Sequence, residues 1–440
     1  MSSFQNTSIG TMPSEWEIIP LTKAIGKYID NRGKTVPVTN KPTKMVLIAT
    51  NCIKEDSIFP VKEKIRYVAD DIYENWFRAH PEPGDIIIVN KGTPGLVCFV
   101  PNKIDFCIAQ DMIAMRPDPK VMNNKYLFAY MRSRKFKWQV SSLNVGTTIP
   151  HLKKTNFAEL LIPKPTIKEQ ELIGEFYFSL SSKIELLRRQ NETLEKIAQT
   201  IFKEWFVEFN FPDKNGKPYK ANGGKMIDSE LGEIPDGWRV GRISDTFHMI
   251  GGGTPKTSVA EYWNGDIPWF SIVDAPSESD VFVINTEKTI TKLGLDKSST
   301  KVLPVGATVI SARGTVGRCA IVGHEMAFNQ SCYGVIAKDH YSHYWVYLTV
   351  KDRVAALINS GHGSVFNTIT RETFDSIRIP VPDSQITQSL DDVISSSMSK
   401  IKQNLWQMQT LTRLRDTLLP KLMSGQVRVK DATKIIGRTT

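Results

Sequence analysis

The stretch LIPKPTIKEQELIGEFYFSLSSKIELLRRQNETLEKIAQTIFKEWF, residues 161–206, decides the architecture of this chain. Pro163 and Pro165 mark the end of the region before it, because proline cannot sit inside a helix. Seam positions then recur from Ile173 to Trp205, in nine steps that cover 32 residues. A step close to 3.5 residues is the coiled-coil period. The stretch therefore predicts one long helix with a single, mostly apolar seam.

A second stretch, residues 378–427, repeats this arrangement: RIPVP is followed by another long helical pattern. Adding 217 to each seam position gives an in-phase stripe from Leu390 to Leu422. Two such stripes predict that the helices pack together, because either one alone would leave an apolar face in water. The predicted seam residues are Ile184, Leu187, Asn191, Leu194, Ile201 and Trp205 in the first helix and Ile401, Asn404, Met408, Leu411, Leu418 and Leu422 in the second. The stripes also include Ile197, Val393 and Ser397.

Each seam contains one asparagine, Asn191 and Asn404, at positions that are not equivalent in the repeat. A polar residue in a seam lowers stability but can fix the register of two helices. The alternative is a solvent-facing position near a helix end. The sequence leaves both interpretations open.

The region before each helix is also repeated. MPSEWEIIPL near the start of the chain parallels IPDGWRVGRI at an offset of 222, and KGTPG at 91–95 parallels RGTVG at 313–317 at the same offset. Phe157 and Phe374 match at an offset of 217, which indicates small insertions. The repeat is far longer than solenoid units of roughly 20–50 residues. It predicts a duplicated globular domain, each copy followed by a long helix.

Inside each repeat, short strand patterns precede a helical pattern. The helices are predicted over residues 123–143 and 342–360. Strands followed by a helix, rather than alternating with helices, predict an α+β unit and not a dinucleotide-binding fold. The predicted divisions are residues 1–166 for the first domain, 167–210 for the first helix, 211–232 for a linker rich in Gly, Lys and Pro, 233–383 for the second domain, 384–425 for the second helix and 426–440 for a C-terminal tail.

The composition is typical of a globular protein, and we expect the chain to stay in the cytoplasm. The 440 residues are 41% hydrophobic and 23% charged, and no apolar run approaches the length of a membrane span. The N-terminus MSSFQNTSIG lacks the features of an export signal. The five cysteines are widely spaced without a CxxC pair, so neither disulfides nor a zinc site is expected.

The formal net charge of +10 has a local source. Residues 119–156 contain eight Lys or Arg and no Asp or Glu. Such a run favours a polyanionic partner, most simply nucleic acid, although a solvated basic face is the ordinary alternative.

The glycine-rich segment GGGTPKT at 251–257 has some features of a nucleotide-binding loop. A phosphate-binding loop of that kind needs a glycine immediately before its lysine, so that backbone amides can surround the phosphate. Here Pro255 precedes Lys256 and removes one of those amides. No other nucleotide-binding or catalytic motif stands out, and the chain is predicted to bind rather than catalyse.

Several motifs, taken in order, resemble those of the specificity (S) subunit of type I restriction–modification enzymes. They are GGGTP…EYWNGDIPWFS (251–271), ISARGTVG (310–317), AFNQS (327–331), RIPVP (378–382) and LLPKLMSGQV (418–427), with IDNRGKTV (29–36), NKGTPG (90–95), LIPKPTIKEQ (161–170) and FNFPDKNGKPYKANGGKM (209–226) in the first half. The first half departs from the pattern, with RGKTVPV in place of the GGTP, EYW and IPW elements. That departure leaves its base preference open.

The resemblance implies a non-catalytic DNA-recognition subunit. Each globular unit would be a target-recognition domain for one half of a bipartite site in double-stranded DNA, and the helices would form an antiparallel coiled coil. The subunit would hold two DNA-methyltransferase (M) subunits, joined by two translocase–nuclease (R) subunits. S-adenosylmethionine, ATP and Mg²⁺ would belong to those partners, and no cofactor to this chain. The alternatives are an autonomous DNA-modifying enzyme and a coiled-coil scaffold that does not recognise sequence.

The predicted DNA contacts are of two kinds. Phosphate contacts are assigned to the basic run: Lys120, Lys125, Arg132, Arg134, Lys135, Lys137, Lys153 and Lys154. Glycine-flanked loops would approach base edges, with candidates Arg32, Lys34, Lys91, Thr93, Asn144, Thr147, Thr148, Lys256, Thr257, Arg313, Thr315, His362 and Ser364. Arg313 is the favoured base-contacting residue, since arginine to guanine is the commonest specific contact. Alternatively, Arg313 and Lys91 brace a turn whose glycines supply positive φ angles.

Large aromatic residues near the helix ends are candidates for contact with the methyltransferase. They are Trp205, Phe206, Phe209 and Trp406. Trp205 lies in the predicted seam, so packing between the helices explains it at least as well.

Overall fold

The structure of the chain, a computed structural model, describes residues 3–31, 33–143, 150–276, 281–359 and 368–428, with the backbone alone for 356–359. Its contacts divide the chain into two units. Unit 1 is Met1–Leu186 with Met408–Thr440, and unit 2 is Leu187–Gln407. The unit boundaries fall within the two long helices rather than at their ends.

Unit 1 is built from two sheets and a set of helices. Its strands are β1 (Phe4–Thr7), β2 (Gly10–Pro13), β3 (Glu17–Pro20), β4 (Ile25–Asp30), β5 (Met45–Ile48), β6 (Arg66–Val68), β7 (Ile86–Val89), β8 (Val97–Phe99), β9 (Phe106–Ile108), β10 (Met112–Pro117) and β11 (Leu161–Lys164). Its helices are α1 (Leu21–Ala24), α2 (Asp70–Asn75), α3 (Asn124–Met131), α4 (Arg134–Ser142) and the first part of α5 (Ile167–Phe206).

The order of the strands in unit 1 is β4-β10-β7-β8 in one sheet and β6-β5-β9 in the other, with β1–β2 and β3–β11 as separate pairs. In the larger sheet all neighbours are antiparallel. In the smaller one, β5 pairs antiparallel with β6 and parallel with β9. Strand β11, which pairs with β3, ends just before α5 begins.

Strand β7 shows how the core of unit 1 is layered. Ile86 and Ile88 belong to a core with α3, α4 and α5, whereas Ile87 and Val89 belong to a second core with the smaller sheet. Successive side chains of a strand point to opposite faces, so the uninterrupted run Ile86–Val89 is explained by burial on both faces.

Unit 2 contains the remaining elements. Its strands are β12 (Met226–Ile227), β13 (Ile234–Pro235), β14 (Arg239–Arg242), β15 (Phe247–Gly251), β16 (Trp263–Phe270), β17 (Phe282–Val283), β18 (Lys288–Ile290), β19 (Val302–Leu303), β20 (Thr308–Ser311), β21 (Cys319–Val322), β22 (Met326–Phe328), β23 (Cys332–Ala337) and β24 (Arg378–Val381). Its helices are α6 (Lys292–Asp296), α7 (His343–Asn359), α8 (Arg371–Ser376), the last part of α5 and the first part of α9 (Ser384–Met423), whose last part belongs to unit 1.

The two units share a topology. The order β15-β23-β20-β21 of unit 2 repeats β4-β10-β7-β8, with β17 added at the edge. The order β18-β16-β22 repeats β6-β5-β9, including one antiparallel and one parallel neighbour, with β19 added. The pair β14–β24 precedes α9 as β3–β11 precedes α5. Each unit is therefore a mixed α and β domain, and the chain contains this domain twice.

The helix predicted over residues 123–143 is in fact two helices, α3 and α4. The break falls at Arg132 and Ser133, and the Ser133 hydroxyl accepts a hydrogen bond from the Phe136 amide at 3.3 Å. A serine cap of this kind starts a new helix. The matching region of unit 2 remains one helix, α7.

The long helices α5 and α9 contribute to the core of each unit with different parts. The core of unit 1 contains Ile173 and Phe176 near the start of α5 and Leu418 and Leu422 near the end of α9. The core of unit 2 contains Trp205 near the end of α5, together with early residues of α9 up to Leu405. Residues of both helices therefore meet within each unit.

The strict spacing predicted for the seam is wrong at several positions. Ile197 and Val393 are exposed, and their neighbours Ala198 and Ile394 are buried instead. Met398 likewise replaces Ser397 in the core. At both Ile197 and Val393 the predicted seam takes a three-residue step (194–197 and 390–393), whereas the buried face continues one residue later, because a helical turn has 3.6 residues. Of the remaining predicted seam residues, Ile184, Leu187, Ile401, Leu418 and Leu422 are buried, whereas Leu194, Ile201, Met408 and Leu411 are half-buried.

The two seam asparagines contact each other within unit 2. Asn404 Nδ2 donates a hydrogen bond to Asn191 Oδ1 at 2.9 Å, and both side chains are almost fully buried. This geometry supports the interpretation that they fix register and excludes the solvent-facing alternative. This hydrogen bond forms only when the helices are aligned so that the two side chains meet, although Asn191 Nδ2 and Asn404 Oδ1 are buried without a partner in the described residues.

None of the described helices is long and apolar enough to cross a membrane. All five cysteines lie in the described part of the chain and have free thiols.

Candidate nucleic-acid interface

In unit 1, the turn Lys91–Gly95 after β7 is hydrogen-bonded to two other segments. The amide of Asn90 donates to the carbonyl of Asp111 at 3.0 Å, and the amide of Leu152 donates to the carbonyl of Asn90 at 2.8 Å. Lys91 also forms an isolated β-bridge with His151. We call this meeting point of three segments junction 1 (residues 90–95, 110–111 and 150–152).

Unit 2 contains the same arrangement around the turn Arg313–Gly317 after β20. The amide of Ala312 donates to the carbonyl of Ser331 at 2.8 Å, and the amide of Ile369 donates to the carbonyl of Ala312 at 2.9 Å. Arg313 forms an isolated β-bridge with Thr368. We call this meeting point junction 2 (residues 312–317, 330–331 and 368–369).

Glycines give both turns their shape. Gly92 and Gly95 have φ angles of 91° and 90°, and Gly314 and Gly317 have φ angles of 78° and 87°. These values lie in the left-handed region that residues with a Cβ rarely adopt. The glycines and the backbone hydrogen bonds thus hold each turn in place. The part of the alternative interpretation in which glycines supply positive φ angles is confirmed.

The polar side chains of the two turns take no part in holding them. Lys91, Thr93, Arg313 and Thr315 are all exposed. In the part of the chain that the structure describes, their side chains have no hydrogen bond or ion pair. They are therefore available to a partner, and each junction presents one cation and one hydroxyl.

Other predicted contacts of unit 1 lie near junction 1. Lys154 Nζ is 3.1 Å from Asp30 Oδ2 and 4.8 Å from the centre of the Tyr28 ring, and Lys153 is exposed. Burial raises the pKa of the Tyr28 hydroxyl. The segment from Leu152 to Lys154 thus brings two more lysines beside the end of β4. Lys34 is exposed in the loop after β4.

The rest of the basic run is divided among different parts of unit 1. Lys125 pairs with Glu175 on α5, and Lys137 Nζ is 2.9 Å from Glu55 Oε1. Arg132 donates to the carbonyl of Ser57 at 2.6 Å. Carboxylates absent from the run are therefore supplied by distant parts of the chain. The run does not form one uniform surface.

Besides Arg132 and Lys153, three further members of the run have no carboxylate partner in the described residues. Lys120 and Arg134 are exposed. Partial burial lowers the pKa of Lys135, which lies against Gly10 of the β1–β2 pair. All three remain predicted phosphate contacts.

The glycine-rich segment of unit 2 is held by the tryptophans that follow it. Trp269 Nε1 donates to the carbonyl of Gly253 at 3.0 Å, and Trp263 Nε1 donates to that of Lys256 at 3.4 Å. A Cβ on Gly252 would lie 2.1 Å from the carbonyl oxygen of Asn329. Close backbone packing therefore explains this glycine.

The same segment is connected to junction 2. The Thr254 hydroxyl is hydrogen-bonded to the side-chain oxygen of Gln330. Lys256 and Thr257, two residues further on, are exposed. The hydrogen bond between Thr254 and Gln330 therefore places the loop that carries Lys256 and Thr257 next to junction 2.

The segments Gln110–Asp111 and Gln330–Ser331 were not predicted as parts of the junctions. The signal was available, because glutamine occupies the same place in both repeats. Six predicted contacts lie outside the described residues: Arg32, Asn144, Thr147, Thr148, His362 and Ser364.

The aromatic residues proposed for methyltransferase docking have different locations. Trp205 and Phe206 are buried in the core of unit 2, and Phe209 packs against that core. Trp406 is 40% exposed on α9. Burial in the domain core argues against docking for Trp205 and Phe206, whereas Phe209 is half-buried and stays a candidate with Trp406.

Within the described residues, no group of three or more His, Cys, Asp or Glu side chains is arranged to hold a metal ion.

Comparison with known proteins identifies the family. A family model described as the type I restriction modification DNA specificity domain matches residues 13–196 and 235–408. The HindI specificity subunit of Haemophilus influenzae is 25% identical over 405 residues, covering 78% of this chain and 86% of the relative. The MjaIX specificity subunit of Methanocaldococcus jannaschii is 24% identical and covers 98% of both chains.

A solved structure supports the fold. The crystal structure of a type I restriction–modification S subunit from M. genitalium aligns with a TM-score of 0.57, at 16% identity, and covers 93% of this chain and 96% of that one. The family match falls once on each repeat and spans more than half of the residues. The chain therefore belongs to the family of type I restriction–modification specificity subunits, which it matches with two copies of the DNA specificity domain.

Proposed function

We propose that each domain recognises one half of an asymmetric, bipartite site in double-stranded DNA. The observation that carries this proposal is the junction, which the chain builds twice with the same backbone hydrogen bonds and an exposed cation. The sequences around the two junctions differ, so the two half-sites should differ. The recognition domains are assigned to residues 1–166 and 233–383.

In this proposal the long helices pack as an antiparallel coiled coil and set the distance between the half-sites. The start of α5 shares a core with the end of α9 in unit 1, and the end of α5 shares a core with the start of α9 in unit 2. Both observations support the antiparallel arrangement. Each helix has 40 residues, about 60 Å at 1.5 Å per residue. Half-sites one DNA turn apart need only about 34–36 Å between their centres. The helices are long enough, and their overlap would fix the spacer.

The chain itself would carry out no catalysis. It would hold two methyltransferase subunits, which use S-adenosylmethionine, and with them two translocase–nuclease subunits, which use ATP and Mg²⁺. The exposed face of the helices around Trp406 remains a candidate for the methyltransferase contact.

We expect co-expression of this chain with its cognate methyltransferase subunit to produce methylated adenines in a split, asymmetric motif. Mapping methylated bases across the host genome measures this directly. The control is each subunit expressed alone, which should leave the genome unmethylated at that motif.

The competing functions give different results in the same experiment. Methyl transfer or cleavage by this chain without a partner would support an autonomous enzyme. DNA binding that ignores sequence, or lacks a steep dependence on salt, would support a scaffold.

A further inference from the structure

We infer that Lys91 and Arg313 contact DNA phosphates, and that neither selects a base. This inference rests on the proposed function and assigns to Arg313 a role other than the base contact favoured by the sequence. The two residues occupy the first position of the repeated turn, one in each junction.

Each turn is held by glycines with positive φ angles and by backbone hydrogen bonds to two neighbouring segments. The side chains of Lys91 and Arg313 contribute neither a hydrogen bond nor an ion pair within the described residues, and both are exposed. Bracing of the turn therefore does not explain why both repeats place a cation here.

The junctions have the same geometry and the same cationic chemistry at this position, so they are suited to the same contact. Two half-sites of different sequence share the phosphate backbone but not their bases. Phosphate contacts position a protein on DNA without carrying sequence information. A cation in both repeats is therefore explained by a phosphate.

Lysine and arginine both bind phosphate, and exchanging one for the other preserves a charge contact, whereas bidentate recognition of a base depends on the planar guanidinium. The repeats contain lysine in one junction and arginine in the other, with threonine two positions later in both. This tolerance is typical of a phosphate contact.

The test uses the full chain in complex with its methyltransferase subunit. Lys91→Ala and Arg313→Ala remove the cations singly, and Lys91→Arg and Arg313→Lys preserve charge. Lys23→Ala in α1 and Arg239→Ala in β14 serve as controls, because both residues are exposed cations that belong to neither junction. Affinity is measured for duplexes with the mapped motif, with each single-base change, and with no motif, between 0.1 and 1 M salt.

We expect each alanine variant to weaken binding to all duplexes by the same factor and to leave the methylated motif unchanged. Each lost phosphate contact should reduce the slope of log K against log salt by about 0.9. The loss of affinity of the variant relative to the wild type should therefore shrink about eightfold between 0.1 and 1 M salt. The charge-preserving variants should bind like the wild type, as should the control variants.

Loss of discrimination at one base pair in either alanine variant would overturn the inference and restore a base contact. Unchanged affinity and slope would overturn it as well, because the side chain would then not touch DNA. Absence of any split motif with the wild-type complex is a separate result that refutes the proposed function. The salt slope on the duplex with no motif still tests the phosphate contact in that case.

Discussion

Replacing Lys351 by methionine is expected to destabilise unit 2 by about 3–5 kcal/mol, the usual cost of leaving a buried charge without its partner. Lys351 on α7 forms an ion pair with Glu195 on α5, whose side chain is only 4% exposed. In the variant, the Glu195 carboxylate would remain buried. It would keep the hydrogen bond from Gln199 Nε2 at 3.0 Å, a neutral donor that compensates only in part.

Urea denaturation followed by tryptophan fluorescence measures this effect. Lys292→Met is the matched control, because Lys292 pairs with Asp296 on the surface, where ion pairs are worth less than about 1 kcal/mol. The double variant Glu195→Gln/Lys351→Met removes both charges and should recover most of the loss. A Lys351→Met variant no less stable than Lys292→Met would show that the Lys351–Glu195 ion pair does not stabilise unit 2.

Replacing Trp238 by alanine is expected to cost about 3–5 kcal/mol, as for other large aromatic residues removed from a core. Trp238 is 5% exposed and lies just after the linker. Its ring stacks on Phe211 with centroids 5.3 Å apart and meets Phe209 edge to face at 5.5 Å. It also lies 6.1 Å from Phe206 at the end of α5. This cluster ties the end of the helix and the linker to the second domain.

The matched control for this variant is Trp138→Ala in unit 1, because Trp138 is 66% exposed. The control should change the urea midpoint little, and Trp238→Phe should lose much less than Trp238→Ala. Equal effects of Trp238→Ala and Trp138→Ala would show that the cluster does not hold unit 2 together.

The duplicated architecture was predictable because it depends on local features. Prolines before each helix, the long apolar stripes and the repeated KGTPG and RGTVG turns are all visible in the sequence. They correctly predicted two copies of one mixed α and β domain, each followed by a helix of 40 residues.

Finer features depended on contacts between distant segments and could not be predicted. A strict heptad extrapolation placed Ile197 and Val393 in the seam, whereas the helix turns them towards solvent. The same extrapolation could not show that Asn191 and Asn404 meet. A glutamate such as Glu195 appears solvent-exposed until the cation that faces it, more than 150 residues away, is known.

The candidate interface was predictable in part. The two turns were identified from their glycines and cations, but the segments that hold them, Asp111 and Ser331, were not. The predicted contribution of the basic run to DNA binding was too large, since Lys125 and Lys137 pair with carboxylates from other parts of the chain. Local charge predicts a basic segment, but only the fold shows which cations are already neutralised.

Independent recognition of one half of the DNA site by each domain is the core of the proposed function. Its most direct test exchanges residues 233–383 for the corresponding domain of another specificity subunit, co-expresses the hybrid with the methyltransferase subunit and maps the methylated adenines. We predict that one half of the motif changes, while the other half and the spacer length stay the same because residues 1–232 and α9 are unchanged. A motif altered in both halves, or altered in neither, would contradict this account.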